Sequence, residues 1–194
     1  MGEPDYEVAI IGAGPGGIAA AKLLRDKGIS DFIILERSHD FGGTWRDNHY
    51  PGLAVDIPVL WYQLSFAPNP NWTRFFAPGP EIYHYLRDTA ARFKLYKHLH
   101  TNAEVVQQKW DTSANLWHLS IKDQQAVSAR FVINSVGGYV NAKQSVDIDG
   151  IEGRMPFGEA VGLIDLDKAR GHAVLGGRRD RARNRLAGRR AGDE

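Results

Sequence analysis

Two continuous apolar runs with a helical pattern between them dominate the first forty residues. Val8-Ala9-Ile10-Ile11 and Phe32-Ile33-Ile34-Leu35 are β-favouring and lack polar alternation, as suits strands of a parallel sheet covered on both faces. Ile18, Ala19, Ala20, Leu23 and Leu24 recur between them at helical spacing. Pro15 suits the first helical turn, and Lys27-Gly28 supplies a cation and an αL-capable residue at the helix end. Farther along, Ile82, Tyr85, Leu86, Ala90 and Phe93 predict a helix over 80–93. Residues 116–121 and 126–134 predict two strands joined by a polar turn at 122–125. The expected fold class is α/β, a parallel sheet with a small antiparallel hairpin. No internal repeat is visible.

The turn after the first strand reads Gly12-Ala13-Gly14-Pro15-Gly16-Gly17, the G-x-G-x-x-G pattern of a Rossmann-like unit. Gly12 permits the tight turn, Gly14 lets backbone N–H groups approach a pyrophosphate, and Gly17 lets helix and strand pack closely. The helix N-terminus presents partial positive charge to the anion. Glu36 ends the second run 19 residues beyond Gly17, near the roughly 20-residue spacing at which an acid meets an adenosine ribose 2′-OH. An acid there also disfavours a 2′-phosphate. The competing reading, a glycine-rich turn without a ligand, is weakened by strand, helix and acid all being in place. A second segment, Gly42-Gly43-Thr44-Trp45-Arg46-Asp47-Asn48, narrows the expectation to flavin.

These segments, with Glu36-Arg37, Tyr50-Pro51-Gly52, Asp56-Ile57-Pro58, Tyr62, residues 66–72 and Glu81-Ile82, make the chain resemble the class B flavoprotein monooxygenases, which include flavin-containing and Baeyer–Villiger monooxygenases. The resemblance covers roughly residues 6–153. It implies FAD in a first Rossmann unit, NADPH in a second, and a C4a-(hydro)peroxyflavin that inserts one oxygen atom from O2 into a small-molecule substrate, a ketone or soft nucleophile. It further implies that Gly12, Gly14, Pro15 and Gly17 hold the FAD pyrophosphate, that Glu36 and Arg37 serve the adenosine ribose end, and that Gly43, Thr44 and Trp45 serve the ribityl and isoalloxazine side. Asp56 is implied as the catalytic aspartate that helps place an arginine supplied by later sequence. Tyr62 is implied near the flavin and the Val105 backbone near the adenine.

Other readings compete at several of these positions. Trp45 as an ordinary core aromatic is outweighed by the preceding Gly-Gly. Asp56, between Pro51-Gly52 and Pro58, is also read as a turn-stabilising side chain. The aromatic stretch Trp61, Tyr62, Phe66, Trp72, Phe75 and Phe76 is expected to pack in the core, since Arg74 is almost the only nearby cation for base stacking. His98 and His100 are spaced as on one face of a strand, but no third ligand accompanies them and no metal is expected. The chain departs from the family pattern at Pro58-Val59-Leu60 and at Ser135-Val136-Gly137-Gly138, which leaves substrate choice open.

Composition changes the picture only near the end. From 169 to 194 there are eight arginines, three acids and no aromatic residue, so the net charge of +1 conceals a mildly acidic remainder. The junction signature of the family is not met at 157–162. Residues 1–153 are therefore expected to form the FAD-binding domain and 154–194 an aberrant Gly/Arg-rich tail, disordered or read out of frame. Such a tail suggests nucleic-acid binding only weakly, without a recognition fold. At 194 residues the second nucleotide-binding domain is expected to be missing, leaving the chain inactive alone, a non-catalytic FAD-binding or interaction fragment, or dependent on a partner chain for the missing half. There is no cysteine, no segment of membrane-spanning length and no signal peptide pattern, so a cytoplasmic location is expected.

Overall fold

The structure, a computed structural model, describes residues 2–138. The expectations for the family junction at 157–162 and for the tail from 154 lie outside the described residues.

Among the described residues, six strands form one mixed sheet. In chain order they are β1 (Tyr6–Ile11), β2 (Phe32–Leu35), β3 (Leu99–His100), β4 (Val105–Asp111), β5 (Leu116–Ile121) and β6 (Val127–Asn134), arranged β3-β2-β1-β6-β5-β4. β1 lies between β2 and β6 and is parallel to both, with Ile10 opposite Ile34 on one side and Ile133 on the other. β4, β5 and β6 run antiparallel as a meander. Four helices accompany them: α1 (Pro15–Asp26), the one-turn α2 (Thr44–Asp47) and α3 (Val59–Tyr62), and α4 (Gly79–Arg92), followed by a 3-10 turn at Leu95–His98. Pro15 stands in the first turn of α1, and Gly28 closes that helix at φ 79° while the Ile29 N–H returns to the Leu24 carbonyl at 3.0 Å.

The alternation of strand side chains builds two cores. Val8, Ile10, Phe32 and Ile34 face Ile18, Ala21, Ile82, Leu86 and Leu95 of the helical layer. Ala9, Ile11, Ile33 and Leu35 pack with Ala103, Leu119, Ile121 and Ala129, so the meander folds back across the opposite face. Both faces of β1 and β2 are thus dry, which is why their sequences show no polar alternation.

Three parts of the sequence expectation need correction. β4 was not anticipated from periodicity, because an edge strand with Gln107, Gln108 and Lys109 exposed carries no period-2 signal. The aromatic stretch does not pack in the core as a whole: Trp61 is 79% exposed, Phe75 60% and Phe76 48%, while Phe66 and Trp72 are partly buried. α3 buries only Val59, and Phe75 and Phe76 meet each other edge-on at 5.0 Å outside the sheet layers. Finally, His98 and His100 do not share a strand. His98 ends the 3-10 turn and stacks on Phe32 at 3.9 Å, whereas His100 lies in β3 and meets Gln124 at 2.9 Å.

The β4–β5 turn has a pH signature. The Asp111 carboxylate accepts from the Ser113 hydroxyl (2.6 Å) and from the Ser113 and Ala114 N–H groups (2.8 and 3.1 Å), which lowers its pKa to about 2. Its folded value lies below the unfolded value of about 3.9, so this contribution is complete above about pH 4 and is lost as pH falls toward 2. A carboxyl NMR titration should place the Asp111 midpoint near 2, and Asp111→Asn should remove the corresponding part of the acid destabilisation.

Candidate functional site

The site forms where β1 and β2 end. Gly12 leaves β1 at φ 99°, and a Cβ there would lie 2.5 Å from the Ser135 carbonyl oxygen. A Cβ on Gly17 would lie 2.0 Å from the Gly12 carbonyl oxygen, so α1 can start against the end of β1 only if that position lacks a side chain. Gly14 is the N-cap residue of α1 and provides no side-chain cap, and the first turn carries no acid. The positive end of the helix is therefore not neutralised by its own side chains.

The second glycine segment is laid directly against the first. Gly42 (φ 124°) donates its N–H to the Ala13 carbonyl at 3.0 Å. Gly43 (φ 53°) approaches Gly14 so closely that a Cβ on it would sit 3.0 Å from the Gly14 Cα. Thr44 then opens α2, and Trp45 is buried with its indole N–H donating to the Tyr62 hydroxyl at 2.9 Å. The two rings cross at 84° with centroids 5.4 Å apart. The two glycine loops are thereby packed together, and the aromatic pair follows directly from the second of them.

Glu36 ties the loops together from below. It is 4% exposed, and its carboxylate accepts three hydrogen bonds, from the Ala13 N–H (2.8 Å), the Ser38 N–H (2.9 Å) and the Arg46 guanidinium (3.2 Å). Arg46 also donates to both Asp47 carboxylate oxygens and to the Asp40 carbonyl. Burial opposes the Arg46 charge, but Asp47 and Glu36 outweigh it and raise its pKa. A carboxylate has about four acceptor positions, so among the described residues Glu36 keeps one beyond its three donors.

Gly12, Gly14, Pro15, Gly17, Glu36, Gly43, Thr44 and Trp45 are thus brought together, with Tyr62 joined through Trp45. Arg37 sits at the rim, 4.0 Å from Asp47. Val105 begins β4 at the end of a segment in which Asn102 and Ala103 donate to the Ser38 and Glu36 carbonyls (2.9 and 2.8 Å). Asp56 is exposed on a bend, and its carboxylate makes no hydrogen bond among the described residues. Two surface clefts, about 320 Å³ along α4 and about 270 Å³ beside the start of β2, share no lining residue with the glycine loops. Arg46 was legible only as part of the motif and Asp40 not at all, since neither spacing nor composition announces a buried guanidinium or its carbonyl partner.

A Gly-rich strand-to-helix turn, an acid at the end of β2 and the parallel β2-β1-β6 core define a Rossmann-type dinucleotide-binding unit. The family described as NAD(P)-binding Rossmann-like domain matches residues 10–78. Baeyer–Villiger monooxygenases of Streptomyces coelicolor and Pseudomonas aeruginosa are 43% and 39% identical over 145 and 146 residues, each match covering 75% of this chain and 28% of the relative. Among solved structures, OTEMO in complex with FAD and NADP superposes with a TM-score of 0.70 at 30% identity, covering 77% of this chain and 29% of that one. Oxidized steroid monooxygenase bound to NADP gives 0.69 at 31% identity, covering 73% and 28%. The chain matches the N-terminal portion of the class B flavoprotein monooxygenases. It spans 28% of the length of these two curated relatives.

The Glu36–Arg46 pair, with side chains 5% and 3% exposed, makes a direct prediction. Removing one member strands the other charge, so Arg46→Ala should cost about 3 kcal/mol or more of unfolding free energy in urea. Gly43→Ala should also destabilise the protein, because it puts a side chain at φ 53° against Gly14.

Proposed function

We propose that this chain binds FAD and is the FAD-binding part of an NADPH- and O2-dependent monooxygenase that inserts one oxygen atom into a ketone or soft nucleophile. The observation that carries the reading is the contact of Gly14 with Gly43 above Glu36. A Cβ on Gly43 would sit 3.0 Å from the Gly14 Cα, and the uncapped N-terminus of α1 beside it supports backbone N–H groups as the donors to a pyrophosphate. Gly12, Gly14, Pro15 and Gly17 receive the pyrophosphate, and the remaining acceptor position of Glu36 takes a ribose hydroxyl, with Arg37 at the rim. Gly43, Thr44 and Trp45 line the ribityl and ring side, Tyr62 orients Trp45, and the Val105 backbone serves the adenine. In this family the bound flavin supplies the redox chemistry with NADPH and O2.

Asp56 supports a role beyond binding. Its exposed carboxylate, without a hydrogen bond among the described residues, is available to orient a cation from outside residues 2–138. Residues 1–153 would form the FAD-binding domain. The described helices include none long and apolar enough to cross a membrane, and a cytoplasmic location fits this reading.

Gel filtration after FAD addition, followed by NADPH in the same cuvette, tests the proposal. One flavin per chain should be retained and should stay unbleached by NADPH, and Glu36→Gln should release it. A chain that retains no flavin overturns the binding reading. Rapid bleaching overturns the inactivity of the isolated chain.

A further inference from the structure

Between Glu36 and the second glycine segment, the chain passes through a cluster that contributes nothing directly to the cradle. Asp40, with its side chain 13% exposed, is the centre of it. One carboxylate oxygen accepts from the Tyr96 hydroxyl (2.8 Å) and the Phe41 N–H (2.7 Å), and the other from the Arg87 Nε (2.8 Å) and the Tyr83 hydroxyl (3.4 Å). Tyr83 and Arg87 lie one turn apart on α4, and the Arg87 guanidinium covers the Tyr83 ring at 5.5 Å. Tyr96 comes from the 3-10 turn. The Asp40 backbone carbonyl meanwhile receives Arg46, the partner of Glu36.

The next residues carry this anchorage to the site. Phe41 is fully buried and meets Tyr96 edge-on at 5.0 Å. Gly42 lies flat on the Tyr83 ring, where a Cβ would come within 2.7 Å of it. Gly43 follows immediately and rests on Gly14. Burial and Asp40 both raise the pKa values of Tyr83 and Tyr96, so these phenols remain protonated donors at neutral pH. The 36–43 segment is thereby fixed at one end by Glu36 and toward the other, through Asp40 and Gly42, by α4, and its geometry sets the spacing between the two glycine backbones.

We propose that Asp40 is a positioning residue for flavin binding, clamping the 36–43 loop onto Tyr83, Arg87 and Tyr96 so that Gly43 is held at the correct distance from Gly14. The proposal rests on the FAD reading above. Asp40 itself need not touch the cofactor. Its loss should therefore act through the population of the binding-competent loop, weakening affinity without removing any flavin contact.

The test is FAD titration of the apo chain by flavin fluorescence, with visible circular dichroism of the bound flavin and far-ultraviolet circular dichroism to confirm folding. Asp40→Ala should raise the FAD Kd about tenfold or more, as expected for loss of charge-assisted hydrogen bonds, and should alter the flavin dichroism while the apo protein stays folded. The Tyr83→Phe/Tyr96→Phe double variant, which keeps both rings, should shift the Kd in the same direction and carries the test independently of Asp40→Ala folding. Wild-type affinity in either folded variant overturns the proposal, as does an affinity loss that only follows the unfolded fraction. If the wild-type chain binds no FAD, the flavin reading itself falls; if it binds and the variants match it, only the role of Asp40 does.

Discussion

The geometry of the site depends on one buried carboxylate. Glu36 cannot be left unpaired at 4% exposure, and the chain satisfies it with donors from three directions: the first glycine loop, its own following turn, and Arg46 of α2. A buried ion pair of this kind is a weak source of net stability, because desolvation consumes much of the Coulombic gain. Its effect is orientational. The same guanidinium that meets Glu36 also holds the Asp40 carbonyl and Asp47, so a single planar group aligns the loop before the second glycine pair with the helix after it.

The electrostatics of the cradle follow from this pairing. Arg37 and Arg46, the cations flanking the second glycine segment in the sequence, both face Asp47. The positive potential offered to an anion therefore comes mainly from backbone N–H groups and the dipole of α1, which is long enough at 12 residues for its peptide dipoles to sum. Donors fixed by the backbone need no side-chain ordering when an anion arrives, and they require glycine wherever the anion must come near.

How much of this was legible in the sequence varied with the physics. β1, α1, β2 and the Gly12–Gly17 turn were legible because burial on both faces, helical period and glycine spacing all act locally. The helix near 80–93 and the strands β5 and β6 were readable within a residue or so for the same reason. β4 was missed because it lies at the sheet edge and buries little. Trp61, Phe75 and Phe76 were misjudged because composition reports hydrophobicity but not the layer to which a side chain belongs. The Gly14–Gly43 contact and the Asp40 bonds to Tyr83 and Tyr96 join residues far apart in sequence, and no local pattern encodes them or the Arg46 anchor.

The place of β1 in the sheet has a consequence for how the molecule comes into being. Of the described strands it comes first in the chain, yet it pairs on one side with β6, placing Tyr6 opposite Ala129, and the turn that follows it leans on Ser135. Such a pairing closes a very long loop of chain, the kind of contact that forms late and slowly. As the polypeptide leaves the ribosome, the Gly12 turn can meet Leu35 early, but it has no neighbour on its other side until residue 135 has emerged. The first of the described strands is thus among the last to acquire its final surroundings, and a nascent chain cannot complete the cradle until almost all of the described residues have been made.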